Sequence, residues 1–223
     1  MSAGVIERTL VERLVREALG QRTNGSSNGH AKATPKLVVN VSARHCHVTQ
    51  EDLERLFGKG HQLTQAKALY QDGFFAAEET VTMIGPRNRM ITGLRILGPC
   101  RDHSQVELAF TDSIYLGIDI PVRKSGDIRD TPGCYLMGPA GMIHMQQGVI
   151  RHERHVHMGP SDVAHFGVKD GGRINLRVKS DCGAILEGLL VRMGKGIKLE
   201  VHIDTDEGNA VNFAKATGFE LFV

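Results

Sequence analysis

Apolar and polar residues follow three successive patterns along this 223-residue chain. In residues 4–20, Ile6, Leu10 and Leu14, with Val11, Val15 and Ala18, recur three or four apart between Glu and Arg, and Gly20 follows. That spacing predicts an amphipathic N-terminal helix, residues 1–20, with a glycine stop. Residues 21–35 lose the periodicity and turn to Asn, Gly, Ser and Thr, the composition of a flexible linker. From residue 36 short β-type runs appear at 37–42, 80–84, 90–97, 105–111, 174–179, 184–193 and 198–203, separated by Gly and Pro. Two helix starts interrupt them. At Thr49-Gln-Glu-Asp52 the threonine can cap and Gly58 can end the turn; at Gly159-Pro160-Ser161-Asp162 the proline suits the first helical position. The expected fold is mainly β (α+β) with small helices. The N-terminal stripe has no core of its own to face, so docking on a partner and packing back onto the body or an oligomer mate are equally open.

The two helix starts follow nearly the same words. Arg44-His45-Cys46-His47-Val48 recurs as Arg154-His155-Val156-His157-Met158, an offset of 110 that Asp52 and Asp162 keep. A second echo, Gln105-Val106-Glu107-Leu108 and Glu200-Val201-His202-Ile203, has an offset of 95. Two related small β-barrel domains capped by short helices are therefore expected, over residues 36–130 and 131–223, packed so that neither leaves an open sheet edge.

Composition narrows the function classes. Lys+Arg 27 against Asp+Glu 25 gives a formal charge of +2, too weak a field to recruit nucleic acid or an anionic membrane. No apolar run approaches the roughly 18 residues that span a bilayer. Cys46, Cys100, Cys134 and Cys182 show no Cys-x-x-Cys spacing, which fits a reducing cytoplasm better than a disulfide framework. The 26 glycines, about 12% against a usual 7%, agree with many turns. There remain eleven histidines.

Residues i and i+2 of a strand share a face, so His45 with His47, and His155 with His157, can each present two imidazoles to one point. A single His-x-His is more often a satisfied pair than a metal clip; its repetition in register before a capped helix favours the clip. Glu107 and His202 alternate with apolar neighbours and either lie on a plain polar face or complete the two clips. In the second case one half supplies two histidines and a glutamate and the other three histidines, both catalytic zinc sets with open positions, although Co, Mn or Fe suit them too. Cys46 should face away from its flanking histidines. Arg101, after the Gly98-Pro99 turn, can fork onto a phosphate or form a surface salt bridge. Arg44 and Arg154 can bind anions or pack behind the clips, and Asp204, Asp206 and Glu207 can orient imidazoles or solvate a turn. No phosphate loop or Gly-x-Ser-x-Gly elbow is present.

In this order, Val-Ser-Ala-Arg-His-Cys-His, Leu-Gly-Pro-Cys-Arg, Gln-Val-Glu-Leu, Lys-Ser-Gly-Asp, Arg-His-Val-His-Met and His-Ile-Asp-Thr-Asp-Glu-Gly-Asn-Ala cover about residues 36–213. The succession resembles the phosphate propanoyltransferases, the PduL-type phosphotransacylases of bacterial microcompartments. The resemblance implies acyl transfer between coenzyme A and phosphate on paired β-barrels with two Zn2+. His45, His47 and Glu107 would hold one metal, His155, His157 and His202 the other, and Arg101 the phosphate. It further implies coenzyme A contacts at Ser42, Lys67, Arg95 and Asn209, and a homo-oligomer inside a microcompartment of the bacterial cytoplasm. The N-terminal helix resembles the peptides that target such enzymes to shell or cargo. Ala43, Cys46 and Gly208 depart from the family's usual residues, and Cys46 adds an oxidation hazard beside the metal. A dinuclear metallohydrolase and a non-catalytic metal-binding shell adaptor are the competing readings.

Overall fold

Alternation of apolar and polar positions sorts each strand onto two faces, and in the computed structural model, which describes residues 35–223, this builds two sheets with separate cores. The expected helix over residues 1–20 and residues 21–34 of the linker lie outside the described residues. The described part is mainly β. Its strands are β1 (Val38–Ser42), β2 (His45–His47), β3 (Gln65–Ala68), β4 (Phe75–Ile84), β5 (Met90–Gly98), β6 (Gln105–Glu107), β7 (Val122–Arg123), β8 (Cys134–Met137), β9 (Met142–Met145), β10 (Val149–His152), β11 (His155–Met158), β12 (Arg173–Lys179), β13 (Ala184–Met193), β14 (Glu200–Asp204) and β15 (Gly218–Phe222). Four short helices cap them: α1 (Gln50–Phe57), α2 (Phe110–Leu116), α3 (Pro160–Phe166) and α4 (Thr205–Ala210).

The helix starts at Thr49 and Gly159 form as the residues predict. Thr49 Oγ1 accepts from the Asp52 amide at 3.0 Å, and Asp162 Oδ2 accepts from the Gly159 amide at 2.9 Å. Helices α2 and α4 were not foreseen. The run expected as strand over 105–111 is strand only to Glu107, because helix α2 starts at Phe110 without a side-chain cap to announce it. Helix α4 does carry a signal, a reciprocal cap in which Asp204 and Glu207 each accept the other's amide at 2.8 and 2.9 Å.

The nine-stranded sheet runs β7-β10-β6-β2-β5-β4-β8-β9, with β3 on β4; the six-stranded sheet runs β1-β14-β11-β13-β12-β15. Each curls into a half-barrel. Strand β1 precedes β2 in the chain yet pairs with β14, with Asn40 opposite His202. Strand β10 precedes β11 yet pairs with β6, with Ile150 opposite Glu107. Positions 40 and 150 keep the offset of 110, so each half lends its leading strand to the other. The sheets accordingly do not divide at residue 130: Val39 packs in the second core, while Leu136, Ile143 and Val149 pack in the first.

The helices keep the same symmetry. Arg44 donates to Asp112 at 2.6 Å, and Arg154 lies 2.9 Å from Glu207; these pairs correspond at offsets of 110 and 95. Thr111 donates from its amide and its hydroxyl to Asp206 at 2.9 and 2.7 Å. Since 111 and 206 are repeat counterparts, their contact marks an approximate two-fold axis between the halves. Arg151 on β10 crosses the same seam, donating to Asp204 and, at 2.9 Å, to Glu207. Both carboxylates are over nine-tenths buried. Removing a partner from a buried ion pair leaves an uncompensated charge. Arg151→Met is expected to lower unfolding stability by about 3 kcal/mol in denaturant titration; a loss below about 1 kcal/mol would show that these carboxylates do not depend on it.

Candidate metal centre

The face opposite each core carries the candidate chemistry. Cys46, Ile96 and Val106 point into the first core, which turns His45, His47 and Glu107 the other way; Val156, Val191 and Val201 do the same for His155, His157 and His202. Pairing then sets the third ligand candidate opposite the first, with His45 in register with Glu107 and His155 in register with His202. In each trio the ligating atoms lie within 4.8 Å of one another. The two clips are near copies: ring centroids stand 5.1 Å apart at 89° for His45 and His47, and 5.0 Å apart at 85° for His155 and His157.

Hydrogen bonds fix the ring orientations. Nδ1 of His45 lies 2.8 Å from the Ala43 carbonyl, Nδ1 of His155 2.8 Å from that of Glu153, and Nδ1 of His47 3.1 Å from that of Leu97. A carbonyl only accepts, so Nδ1 carries the proton and each neutral ring keeps its lone pair on Nε2. Glu107 is prepared in the same way. Its Oε1 accepts from Gln105 Nε2 at 2.6 Å and from Ser125 Oγ at 2.7 Å. Its Oε2 is left facing His45 Nε2 at 3.5 Å, with His47 Nε2 4.0 Å from Oε1. The carboxylate oxygen and the two Nε2 atoms converge on one point inside the protein, which calls for a positive charge between them. Ligands on one tetrahedral zinc stand about 3.3 Å apart, given bonds of about 2.0 Å. The trio therefore fits a divalent cation. In the second trio Nδ1 of His157 and Nε2 of His202 are buried without a hydrogen-bond partner among the described residues, although Glu200 Oε2 comes within 3.2 Å of the latter without alignment. A cation in the trio would satisfy His202 Nε2.

Electrostatics keep the donors in ligand form. Burial, with His45 and Arg101 beside it, pulls the His47 imidazole down to about 3. Burial, with His202 and Arg192 nearby, pulls His157 down to about 4 and holds His155 well below the ordinary range. Burial pushes the Glu107 carboxyl up, but His45, His152 and His47 and the Ser125 hydroxyl outweigh it and hold the carboxyl low. Cys46 is fully enclosed in the first core, where burial raises its thiol and suppresses the thiolate that oxidation requires.

Arg101 is brought beside the first trio. Its amide donates to the Val48 carbonyl at 3.0 Å, and its guanidinium donates to Ser125 Oγ at 3.2 Å. Ser125 thus accepts from Arg101 and from Gln105 while donating to Glu107, using its whole hydrogen-bonding capacity. Of the four other residues assigned by resemblance, Ser42 reaches the second trio, with Oγ 3.1 Å from His202 Nδ1. Arg95 shares a register position with His45 but is engaged by the Ala77 and Glu78 carbonyls at 2.8 and 2.9 Å. Lys67 lies exposed on edge strand β3, and Asn209 lines a hollow of about 200 Å3 with Val41 and Phe213. Among the described residues Asp204, Asp206 and Glu207 hydrogen-bond to no imidazole; they cap helix α4 and join Arg151, Arg154 and Thr111.

Three residues at the site had no role in the sequence reading. Ser125 lay inside the Lys-Ser-Gly-Asp motif. His152 is buried with Nδ1 3.9 Å from Glu107 Oε2 and its ring 5.7 Å from that of His155, so it touches both trios. Its signal was the offset of 110 from Ser42. Arg192 shares a register position with His157, which the alternation of Leu189 and Val191 into the core implied.

The depressed imidazoles make stability depend on pH. The unfolded chain takes up protons near 6.5, whereas folded His47 and His157 resist until about 3 and 4, so folding stability falls as pH drops through that window and is complete above it. Metal-free protein is expected to lose up to about 1.4 kcal/mol per pH unit per group, measured by denaturant unfolding between pH 7 and 4.5. A flat profile would contradict the burial of neutral rings.

Comparison with known proteins agrees with the six motifs. A family model described as phosphate propanoyltransferase matches residues 38–214. A phosphate propanoyltransferase of Planctopirus limnophila is 56% identical over 226 residues, covering 98% of this chain and 93% of that protein. Proteins of the same name from Thermotoga maritima and Salmonella typhimurium are 46% and 42% identical over 79% and 82% of this chain, and 84% and 87% of their own lengths. With the match spanning both histidine clips, Glu107, His202 and Arg101, this chain belongs to the phosphate propanoyltransferase family.

Proposed function

We propose that the chain interconverts a short-chain acyl-CoA, such as propanoyl-CoA, and inorganic phosphate with acyl phosphate and free coenzyme A at a two-metal site. In the forward direction a phosphate oxygen forms the new bond to the acyl carbon as the carbon–sulfur bond breaks, and coenzyme A leaves as the thiolate. The observation that carries the reading is the convergence, in repeat-related places, of two trios whose ligating atoms lie within 4.8 Å of one another, in a chain of this family. His45, His47 and Glu107 would hold one ion, and His155, His157 and His202 the other. Zinc suits the imidazole and carboxylate donors, as do other divalent metals. Bound there, the ions would supply Lewis-acid stabilisation of charge on sulfur, carbonyl oxygen and phosphate.

The chain's own residues do the rest. Arg101 forks onto phosphate and aims one oxygen, and Ser125 holds that guanidinium in the same network that holds Glu107, so anion and metal ligand share one support. The carbonyl acceptors of His45, His47 and His155 keep three imidazoles pointed inward without rearrangement. In this reading residues 1–20 dock on a microcompartment shell or cargo and take no part in catalysis.

Incubated with propanoyl-CoA and phosphate, the metal-loaded protein is expected to form propanoyl phosphate, trapped as the hydroxamate. Free propanoate as the sole product would favour the metallohydrolase, and tight zinc with no affinity for coenzyme A would favour the adaptor. Arg101→Ala should raise the KM for phosphate at least tenfold, about 1.4 kcal/mol, while the KM for the thioester stays within twofold. Unchanged phosphate dependence would remove Arg101 from the site. Deletion of residues 1–20 should leave kcat within twofold and abolish cosedimentation with shell proteins; a folded but inactive truncate would contradict the assignment.

A further inference from the structure

Arg101 is not the sole guanidinium turned toward the trios. Arg192 lies on β13 in register with His157, on the face that carries His155 and His202 and away from the core side taken by Leu189 and Val191. The two arginines stand at related places. Arg101's amide donates to the carbonyl of Val48, just after the first clip; in the second half Gly194's amide donates to the carbonyl of Met158, the repeat counterpart of Val48, and Arg192 lies two residues earlier. Each half thus offers one arginine beside the second histidine of its clip.

Their surroundings differ. Arg101 has Ser125, whereas Arg192 is partly buried with neither a hydrogen bond nor an ion pair among the described residues. Elsewhere the arginines near the two-fold seam are engaged: Arg44 by Asp112, Arg151 by Asp204 and Glu207, and Arg154 by Glu207. A guanidinium has five donors and cannot shed its charge, so leaving it desolvated without an acceptor is unfavourable. The two arginines also share a charged neighbour, Glu107. Burial lowers both and Glu107 opposes the shift in each; Arg192 lowers Arg101 further, and Asp170 also opposes the shift at Arg192. Two cations thus share Glu107, with Asp170 acting on Arg192 alone, and an added anion between the two guanidinium groups would be held by both.

We propose that Arg192 is the second arm of a phosphate clamp, gripping with Arg101 the inorganic phosphate that takes up or delivers the acyl group. This rests on the reading of the site given above. A tetrahedral dianion offers acceptors to two guanidinium forks approaching from the two halves, and the second fork fixes the orientation that one leaves open. Coenzyme A carries phosphate groups of the same chemistry, so the two sources must be separated by experiment.

Arg192→Gln and Arg192→Lys test the clamp with steady-state kinetics and with calorimetric titration of inorganic phosphate into the metal-loaded protein. Arg192→Gln should raise the phosphate KM and Kd at least tenfold, and Arg192→Lys, which keeps charge without the fork, should fall between it and wild type; the thioester KM should stay within twofold for both. Phosphate constants within twofold of wild type, or a rise confined to the thioester KM, would overturn the proposal, the second outcome assigning Arg192 to coenzyme A. Phenylglyoxal labelling of wild-type protein with peptide mapping gives a check that needs no variant: phosphate should protect Arg192, and labelling indifferent to phosphate would overturn the clamp. If wild type formed no acyl phosphate, the functional reading would fail by itself, and phosphate titration and labelling would still decide on Arg192.

Discussion

The chain crosses between its two sheets immediately before each histidine clip, and the site depends on those two crossings. At Ala43-Arg44 and at Glu153-Arg154 the backbone leaves a strand paired in one sheet and enters a clip strand paired in the other. The crossing supplies the carbonyls, of Ala43 and Glu153, that hold the first imidazole of each clip. It also carries Ser42 to His202, and His152 to Glu107. Each trio, though drawn from one half, is therefore contacted by a residue delivered from the other sheet's leading strand.

Exchange of leading strands joins two otherwise separate cores. The first core takes Leu136, Ile143 and Val149 from the later half, and the second takes Val39 from the earlier one. The seam is then closed by polar contacts: Arg151 to Asp204 and Glu207, and Thr111 to Asp206. Surface ion pairs contribute little, but these carboxylates are buried and so depend on their partners. Burial keeps the His47 and His157 imidazoles neutral, while the neighbouring histidines and the Ser125 hydroxyl hold the Glu107 carboxyl low against its own burial, which is the protonation state a divalent cation requires.

Local periodicity made part of this legible. Alternation at Cys46, Val106, Val156 and Val201 predicts which residues enter the cores and, by exclusion, which six turn to the other face. The offsets of 110 and 95 predict the doubled arrangement, and they hold in the helix pairs Arg44 with Asp112 and Arg154 with Glu207. Strand exchange was not legible, because pairing across about 160 residues, as between Asn40 and His202, leaves no mark in local pattern. Helix α2 was missed for lack of a capping side chain. Ser125 and His152 act through contacts with distant strands, and a serine or histidine between such runs has many ordinary explanations. Arg192 could have been found from the alternation of β13, had the face opposite its valine and leucine been followed to the clip.

The two-metal reading requires that each trio hold one divalent ion. Anomalous diffraction from zinc-loaded crystals, recorded on both sides of the zinc edge, tests this most directly. Two peaks per chain are expected, one within bonding distance of His45, His47 and Glu107 and one within bonding distance of His155, His157 and His202, with the second alone lost in His157→Ala. A single peak, or zinc bound away from these residues, would contradict it.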